Sequence, residues 1–423
     1  MSSNSASASP PEPMPEIRVP ALLTFLGLSA GIALGLLLAG TPMQASLNAI
    51  AEPVGKLWLN ALQMTIVPLV SALLFTGIVQ TVAAAEGGAL ARRAVGWIAL
   101  FLVWGAVLAA LLMPLLLDLF PVPPGAVAAL SVSDGSAAGS VPGVAAFLGA
   151  LIPANVLDAA AKSATLPLLV FIALFALGTT RLAPGQREIL SRLFAALAGA
   201  MMVMIGWVLA VAPIGVFALG FGVAANSGMS AVAALGHYIA LVAAMGALVV
   251  VSAYAAAVLF GGVRLGAYAR ALVPVQALAF STQSSLACLP AMLVACRRLG
   301  LRETTAELVL PLAVALFRAT GPAMNLAVAI YAARLTGTPL TPGVIAAGLA
   351  VSLVTTLGAV SLPGTLTFIS SIAPIALAMG VPIGPLGLLI AVEMLPDIMR
   401  TIGNAMMDVT LVTVVDRRRQ SGG

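Results

Sequence analysis

The sequence predicts an all-α polytopic membrane protein, with eight transmembrane helices and two re-entrant helical hairpins. Three observations predict it. The 423 residues are 61% hydrophobic. Only 8% are charged, 19 Lys and Arg with 14 Asp and Glu, roughly a third of the share in a soluble domain. Apolar runs long enough to cross a hydrocarbon core of about 30 Å recur along the whole chain. A soluble chain of this length has surface to spare for charge, so most of this one's outer surface does not face water. That argues against a soluble enzyme, a disordered chain and a secreted disulfide scaffold. The net charge of +5 comes with no basic stretch among aromatics in a polar context, so it points to no nucleic acid. The basic residues read as topology signals.

The elements follow in order. Residues 1–18 are rich in Ser, Pro and Ala and lack the basic start and cleavage site of a secretory signal, which predicts a disordered cytoplasmic tail. The eight spans are expected at about 19–40, 54–84, 94–119, 165–180, 194–224, 232–260, 306–333 and 385–415. They are too long and continuous for the alternating strands of a β-barrel. The Pro-, Ala-, Ser- and Gly-rich stretch around 120–150, with Asp134, reads as an outer loop. Two more apolar stretches, about 274–298 and 341–381, are broken by Pro and small polar residues. The first contains Ser281-Thr282-Gln283-Ser284-Ser285 and Pro290; the second contains Ser361-Leu362-Pro363-Gly364-Thr365. Non-helical backbone at membrane depth survives only where it is buried in protein or lines a cavity, so both read as hairpins. This arrangement puts Arg18, Arg92, Arg93, Arg181, Arg187, Arg192, Arg264, Arg270, Arg297, Arg298, Arg302 and Arg417 to Arg419 on one side. Only Lys56, Lys162 and Arg334 fall on the other. The first side is then the cytoplasm, and a second cytoplasmic tail is expected over 416–423. Cys288 and Cys296 read as reduced packing residues. His237 reads as a packed or interfacial residue rather than a proton relay.

Five ionisable residues remain at membrane depth: Arg318, Glu393, Asp397, Arg400 and Asp408. Each costs several kcal/mol there unless paired or lining a cavity. On a continuous last helix, Glu393, Asp397, Arg400, Thr401, Asn404 and Asp408 share about a third of the circumference. An ion-pair ladder between helices needs no such excess of carboxylates, Asn and Thr, so the stripe reads as a binding site. A guanidinium offers a carboxylate a bidentate fork, and a carboxylate one turn earlier suits an ammonium. Arg400 with Asp397 therefore fits an acidic amino acid. No nucleophile–base pair and no cluster of His and Cys ligands is present, so no enzyme is expected.

These residues, together with Pro53-Val54-Gly55-Lys56, Pro68-Leu69-Val70, Ile152-Pro153-Ala154-Asn155, Leu166-Pro167, Ala212-Pro213-Ile214-Gly215 and Asp397-Ile398-Met399-Arg400-Thr401, make the chain resemble the dicarboxylate/amino acid:cation symporter family, the glutamate transporter homologues. The resemblance runs from about residue 20 to 415. It implies an elevator-type fold and a homotrimer, with a scaffold of spans one, two, four and five. The mobile transport part would be spans three and six to eight with both hairpins. It implies that Asp397 holds the substrate amino group and Arg400 its side-chain carboxylate. Thr401, Asn404, Ser284 and Ser285 are implied as further ligands, Leu362 to Leu366, including Gly364, as an extracellular gate, and Asp408 as a sodium ligand. Glu393 stands where an acidic residue is common.

The departures are as informative. Where the family carries Asn-Met-Asp-Gly-Thr, this chain has Phe317-Arg318-Ala319-Thr320-Gly321. Leu286 and Gln283 replace a Ser and an Arg of the first hairpin tip. The Arg318 guanidinium can offset Asp408 without an ion and repels a second cation at close range. One or two sodium sites are then expected to be missing. Coupling would run on a proton carried by Glu393, on fewer sodium ions, or be absent in exchange. The expected function is secondary active symport of aspartate or glutamate across the inner membrane of a prokaryote, with both termini cytoplasmic and a sodium ion or proton as coupling ion. A C4-dicarboxylate, a neutral amino acid or cystine is the alternative substrate, and a ligand-gated channel or sensor module the alternative class.

Overall fold

A computed structural model of the protein describes residues 20–86, 88–123, 152–162, 164–358 and 364–420. The tail expected at 1–18, nearly all of the outer loop and Leu362 lie outside these residues. Every regular element described is a helix. In chain order they are α1 (Ala21–Leu38), α2 (Pro42–Glu86), α3 (Ala89–Leu119), α4 (Val156–Ala161), α5 (Thr165–Thr179), α6 (Pro184–Ala210), α7 (Ala212–Ser227) and α8 (Met229–Leu259). Then come α9 (Leu265–Thr282), α10 (Leu289–Arg298), α11 (Glu303–Leu316), α12 (Thr320–Thr336), α13 (Pro342–Gly358), α14 (Gly364–Ala378), α15 (Gly384–Leu389) and α16 (Met394–Gln420). Among the described residues six stretches are long and apolar enough to cross a membrane: α2, α3, α6, most of α8, α11 with α12, and most of α16.

Three expected spans are interrupted, and each break is followed by a proline in the first turn of the next helix: Pro213, Pro322 and Pro396. The run at 194–224 divides at Val211, with Pro213 in the first turn of α7. There the missing N–H costs nothing, whereas in mid-helix it removes a hydrogen bond. The run at 306–333 breaks at residues 317–319, and Phe317 is extended (φ −98°, ψ 92°). Pro322 follows in the first turn of α12. It cannot donate to the Arg318 carbonyl, which instead accepts from the Gly321 N–H at 2.8 Å. The last run stops at Leu389 and restarts at Met394. Between them the N–H groups of Ala391, Val392 and Glu393 donate three residues back, a tighter turn than α. Boundaries also move, α6 starting at Pro184 rather than 194. Helix α2 starts at Pro42, twelve residues before the expected 54, and carries Pro53 and Pro68 inside it. Helix α16 continues to Gln420, so the tail expected from 416 is largely helix. Its Arg417 donates to the carbonyls of Leu259 and Phe260 at the end of α8, at 3.0 and 3.3 Å.

Helices α1, α2, α6 and α7 form one packed group. Gly27, Gly31 and Gly35, one turn apart on α1, lie against the backbone of α7. A Cβ on them would stand 2.5, 2.3 and 2.6 Å from the carbonyl oxygens of Pro213, Phe217 and Phe221, so only glycine fits. Such small-residue stripes let helix backbones approach closely in membranes. Trp58 of α2 closes the α6–α7 break. Gly215 leaves room for its indole ring, which a Cβ would meet at 2.3 Å. The indole N–H donates to the Val208 carbonyl at 3.0 Å, one of the last α6 carbonyls that lack an intrahelical partner. Trp58→Phe strands that buried carbonyl and is expected to cost about 1–3 kcal/mol, read as a lower thermal midpoint of the purified protein.

The second group centres on α16, which packs against α8, α9 and α11, while α12 packs along α3. The two stretches expected to form hairpins each contain a pair of packed helices, α9 with α10 and α13 with α14. The second pair also packs on α12 and on α2, which faces both groups. Thr356, near the end of α13, touches Gly321 at the start of α12, where a Cβ would meet its hydroxyl at 2.9 Å. Both pairs thus reach α16, and the second also reaches the start of α12 beside the broken segment.

Candidate functional site

The stripe read from the sequence is buried and assembled. Glu393, Asp397, Arg400, Thr401, Asn404 and Asp408 are each 1–7% exposed. Glu393 is not on the helix itself: it ends the turn before α16, and its carbonyl accepts the Asp397 N–H at 2.9 Å. The stripe therefore begins on a non-helical residue, which the continuous-helix reading missed.

Arg400 is its centre. Nη2 donates to Glu393 Oε1 at 2.6 Å, Nη1 to Asn325 Oδ1 at 2.6 Å, and Nε lies 3.2 Å from Asp397 Oδ1. The Tyr238 hydroxyl of α8 donates to Glu393 Oε2 at 2.8 Å. Sequence reasoning missed Asn325 and Tyr238. An Asn inside an apolar run was the available signal for the first. Tyr238 had only a position beside His237, and its partner is 155 residues away. Asn404 Oδ1 accepts from both the N–H and the hydroxyl of Thr320, each at 2.9 Å. It thereby fixes the start of α12 against α16, and only its amide nitrogen is left to donate to a ligand.

Asp408 sits at the other end. Neither of its carboxylate oxygens accepts a hydrogen bond among the described residues. Arg318, in the break between α11 and α12, acts electrostatically on Asp408 and on Asp397. Phe317 and Ala319 are 1% and 2% exposed. Phe317 stacks on Phe101 of α3 with ring centroids 5.9 Å apart. The two positions where a sodium site would need Asn and Asp oxygens thus hold packed apolar side chains. One unbonded carboxylate beside a guanidinium is a poor cage for a sodium ion, which needs several oxygen ligands. The residues present do not fit the full set of sodium sites.

The first hairpin tip comes close to this end. Cys288 is buried in the same apolar cluster as Phe317, Met407 and Val409. Gln283 ends α9 in the left-handed region (φ 49°). Ser285 is 9% exposed and Ser284 half-buried. The Ser284 hydroxyl accepts the Ala287 N–H at 3.3 Å, and neither serine bonds to the stripe among the described residues. Gly364 opens α14. His237 is packed as expected, with Nε2 3.0 Å from the Phe120 carbonyl and Nδ1 3.2 Å from the Tyr331 hydroxyl. Both cysteines are free and buried.

The buried Arg400 guanidinium and three buried carboxylates, with the half-buried Arg318 in one of two helix breaks beside them, can bind and neutralise a small charged molecule. Among the described residues no group of His, Cys, Asp and Glu is arranged to hold a metal ion. The chain is 28% identical over 274 residues to C4-dicarboxylate transport protein 1 of Pseudomonas aeruginosa (strain UCBPP-PA14), spanning 64% of this chain and 60% of that protein. It is 24% identical over 401 residues to the proton/sodium-glutamate symport protein of Bacillus subtilis, spanning 92% and 90%. To the proton/glutamate-aspartate symporter of Escherichia coli K12 it is 25% identical over 370 residues, spanning 86% and 84%. The model of the sodium:dicarboxylate symporter family matches residues 21–418, nearly the whole described chain, and the protein belongs to that family, which is one of transporters rather than enzymes.

Proposed function

We propose that the protein is a secondary active symporter of acidic amino acids in the inner membrane of a prokaryote. The observation that carries this reading is the buried pairing of Arg400 with Asp397 on α16. Arg400 takes the side-chain carboxylate of aspartate or glutamate, and Asp397 the amino group. Thr401, the Asn404 amide and the tip serines Ser284 and Ser285 complete the cage, and Leu362 and Gly364 belong to the gate. The α9–α10 and α13–α14 pairs are re-entrant hairpins. The group around α16 is the mobile part of an elevator, and the α1, α2, α6 and α7 group is the scaffold of a homotrimer. Arg318 serves as a fixed positive charge at Asp408, so coupling depends on a proton at Glu393 more than on sodium.

A C4-dicarboxylate is the second reading. It is favoured by the relative of that name and by the two guanidinium groups acting on Asp397, which lower its pull on an ammonium. Uptake of radiolabelled L-aspartate, L-glutamate and succinate into liposomes, with sodium and pH gradients imposed separately, tests both. Saturable uptake of the acidic compounds driven by an inward proton gradient is the expected result. Uptake that requires several sodium ions overturns the Arg318 account. Transport of neutral amino acids alone overturns the substrate class.

A further inference from the structure

We propose that Glu393 is a built-in stand-in for a substrate carboxylate on Arg400, held there by Tyr238, and that the substrate takes its place as Glu393 gains a proton. The inference rests on Arg400 being the carboxylate ligand, as argued above.

Three observations carry it. Arg400 already faces two carboxylates, Glu393 Oε1 at 2.6 Å and Asp397 Oδ1 at 3.2 Å. A third carboxylate, from the ligand, would crowd excess negative charge around one buried guanidinium, where like charges repel strongly. Neutralising one resident carboxylate removes the excess. Secondly, Glu393 ends the turn at residues 390–393. It can shift without unwinding α16, whereas Asp397 lies within the helix. Thirdly, Glu393 Oε2 meets a hydroxyl rather than an amide or a cation. A tyrosine hydroxyl both donates and accepts. It donates to the anion and accepts from the acid, so the contact survives both charge states.

The proton goes from solution to Glu393 Oε2. The uncharged Oε1 releases Arg400, and the guanidinium pairs with the ligand carboxylate in its place. The charged and titratable groups that face Glu393 are Arg400 and Asp397 from α16 and Tyr238 from α8. Tyr331 of α12 lies behind them, its ring edge-on to Tyr238 at 5.3 Å. Tyr238 touches no substrate. It is a positioning residue that acts through Glu393.

The test is calorimetric binding of L-aspartate and of succinate to the purified full-length protein across neutral and mildly acidic pH. Uptake of one proton with each ligand gives log Kd a slope of about one per pH unit. It holds over the interval in which Glu393 is charged when the site is empty and protonated when it is filled. Affinity therefore rises as pH falls. Glu393→Gln, a neutral isostere, is expected to bind at high pH as tightly as the wild type at low pH, with a flat profile. Glu393→Asp restores a sloping profile. Tyr238→Phe shifts the profile along the pH axis and keeps its low-pH limit. A Glu393→Gln protein that keeps the wild-type slope overturns the inference, as does a wild type whose affinity ignores pH. If Glu393→Gln does not fold, Tyr238→Phe decides: a displaced profile supports the inference and an unmoved one overturns it. A wild type that binds neither ligand overturns the functional reading and this inference with it, whereas normal binding with an unaltered Glu393→Gln profile overturns the inference alone.

Discussion

Exchanging Arg400 for Gln is expected to weaken binding of L-aspartate and succinate about 100-fold or more. Each hydrogen bond to a charged group contributes about 1.5–3 kcal/mol, the fork supplies two, and a tenfold change in affinity corresponds to about 1.4 kcal/mol. The single variant has a second effect. It leaves Glu393 and Asp397, 1% and 6% exposed, facing each other without their shared cation. Breaking a buried pair in this way costs about 3–5 kcal/mol of stability. Arg400→Gln combined with Glu393→Gln removes both charges of the shorter pair and restores a neutral contact. This double variant is expected to fold with a near-normal thermal midpoint and still fail to bind. Titration calorimetry beside a thermal melt separates the two effects. Unchanged affinity in the folded double variant takes Arg400 out of the site.

Arg318→Met is expected to make the protein respond to sodium where the wild type does not. Asp408 is 1% exposed and neither oxygen accepts a hydrogen bond among the described residues. With the guanidinium gone, its charge must be met by a proton or a small cation. The break at residues 317–319 lies beside it, and carbonyls at a helix end lack intrahelical partners. A ligand bound only to the folded state at 100 times its Kd adds about 2.7 kcal/mol, a shift of several degrees. The thermal midpoint of Arg318→Met should therefore climb with sodium concentration. The wild type and an Arg318→Met, Asp408→Asn double variant should be indifferent to it. A wild type strongly stabilised by sodium contradicts the role given to Arg318.

The helices and the charged stripe were legible because both are one-dimensional signals. Apolar length marks a span, and a spacing of three or four residues marks a face. The six stripe residues are all within the last apolar run, so their burial on one side could be read before any packing was known. What partners them could not. Asn325 and Tyr238 lie 75 and 155 residues from the groups they bind, and nothing local distinguishes them from residues that merely fill space. The breaks were half legible. Pro213 and Pro322 were visible, but apolar length outweighed them until the helices either side of each were seen to pack separately. The break before α16 was punctuated too, by Pro396 in that helix's first turn, a proline that the unbroken apolar run around it masked.

The glycine stripe of α1 also limits how the molecule can move. Three carbonyls of α7 fit three notches of α1 at four-residue intervals, like a rack on its pinion. A small slide of one helix along the other would drive the next side chains into those carbonyls. The pair can be re-engaged only after four residues, about 6 Å, so intermediate positions are forbidden and α1 and α7 travel or stay as one bar. Any gradual vertical displacement must run along surfaces without such teeth. The face that α2 turns toward α13 and α14 is the place to look for it.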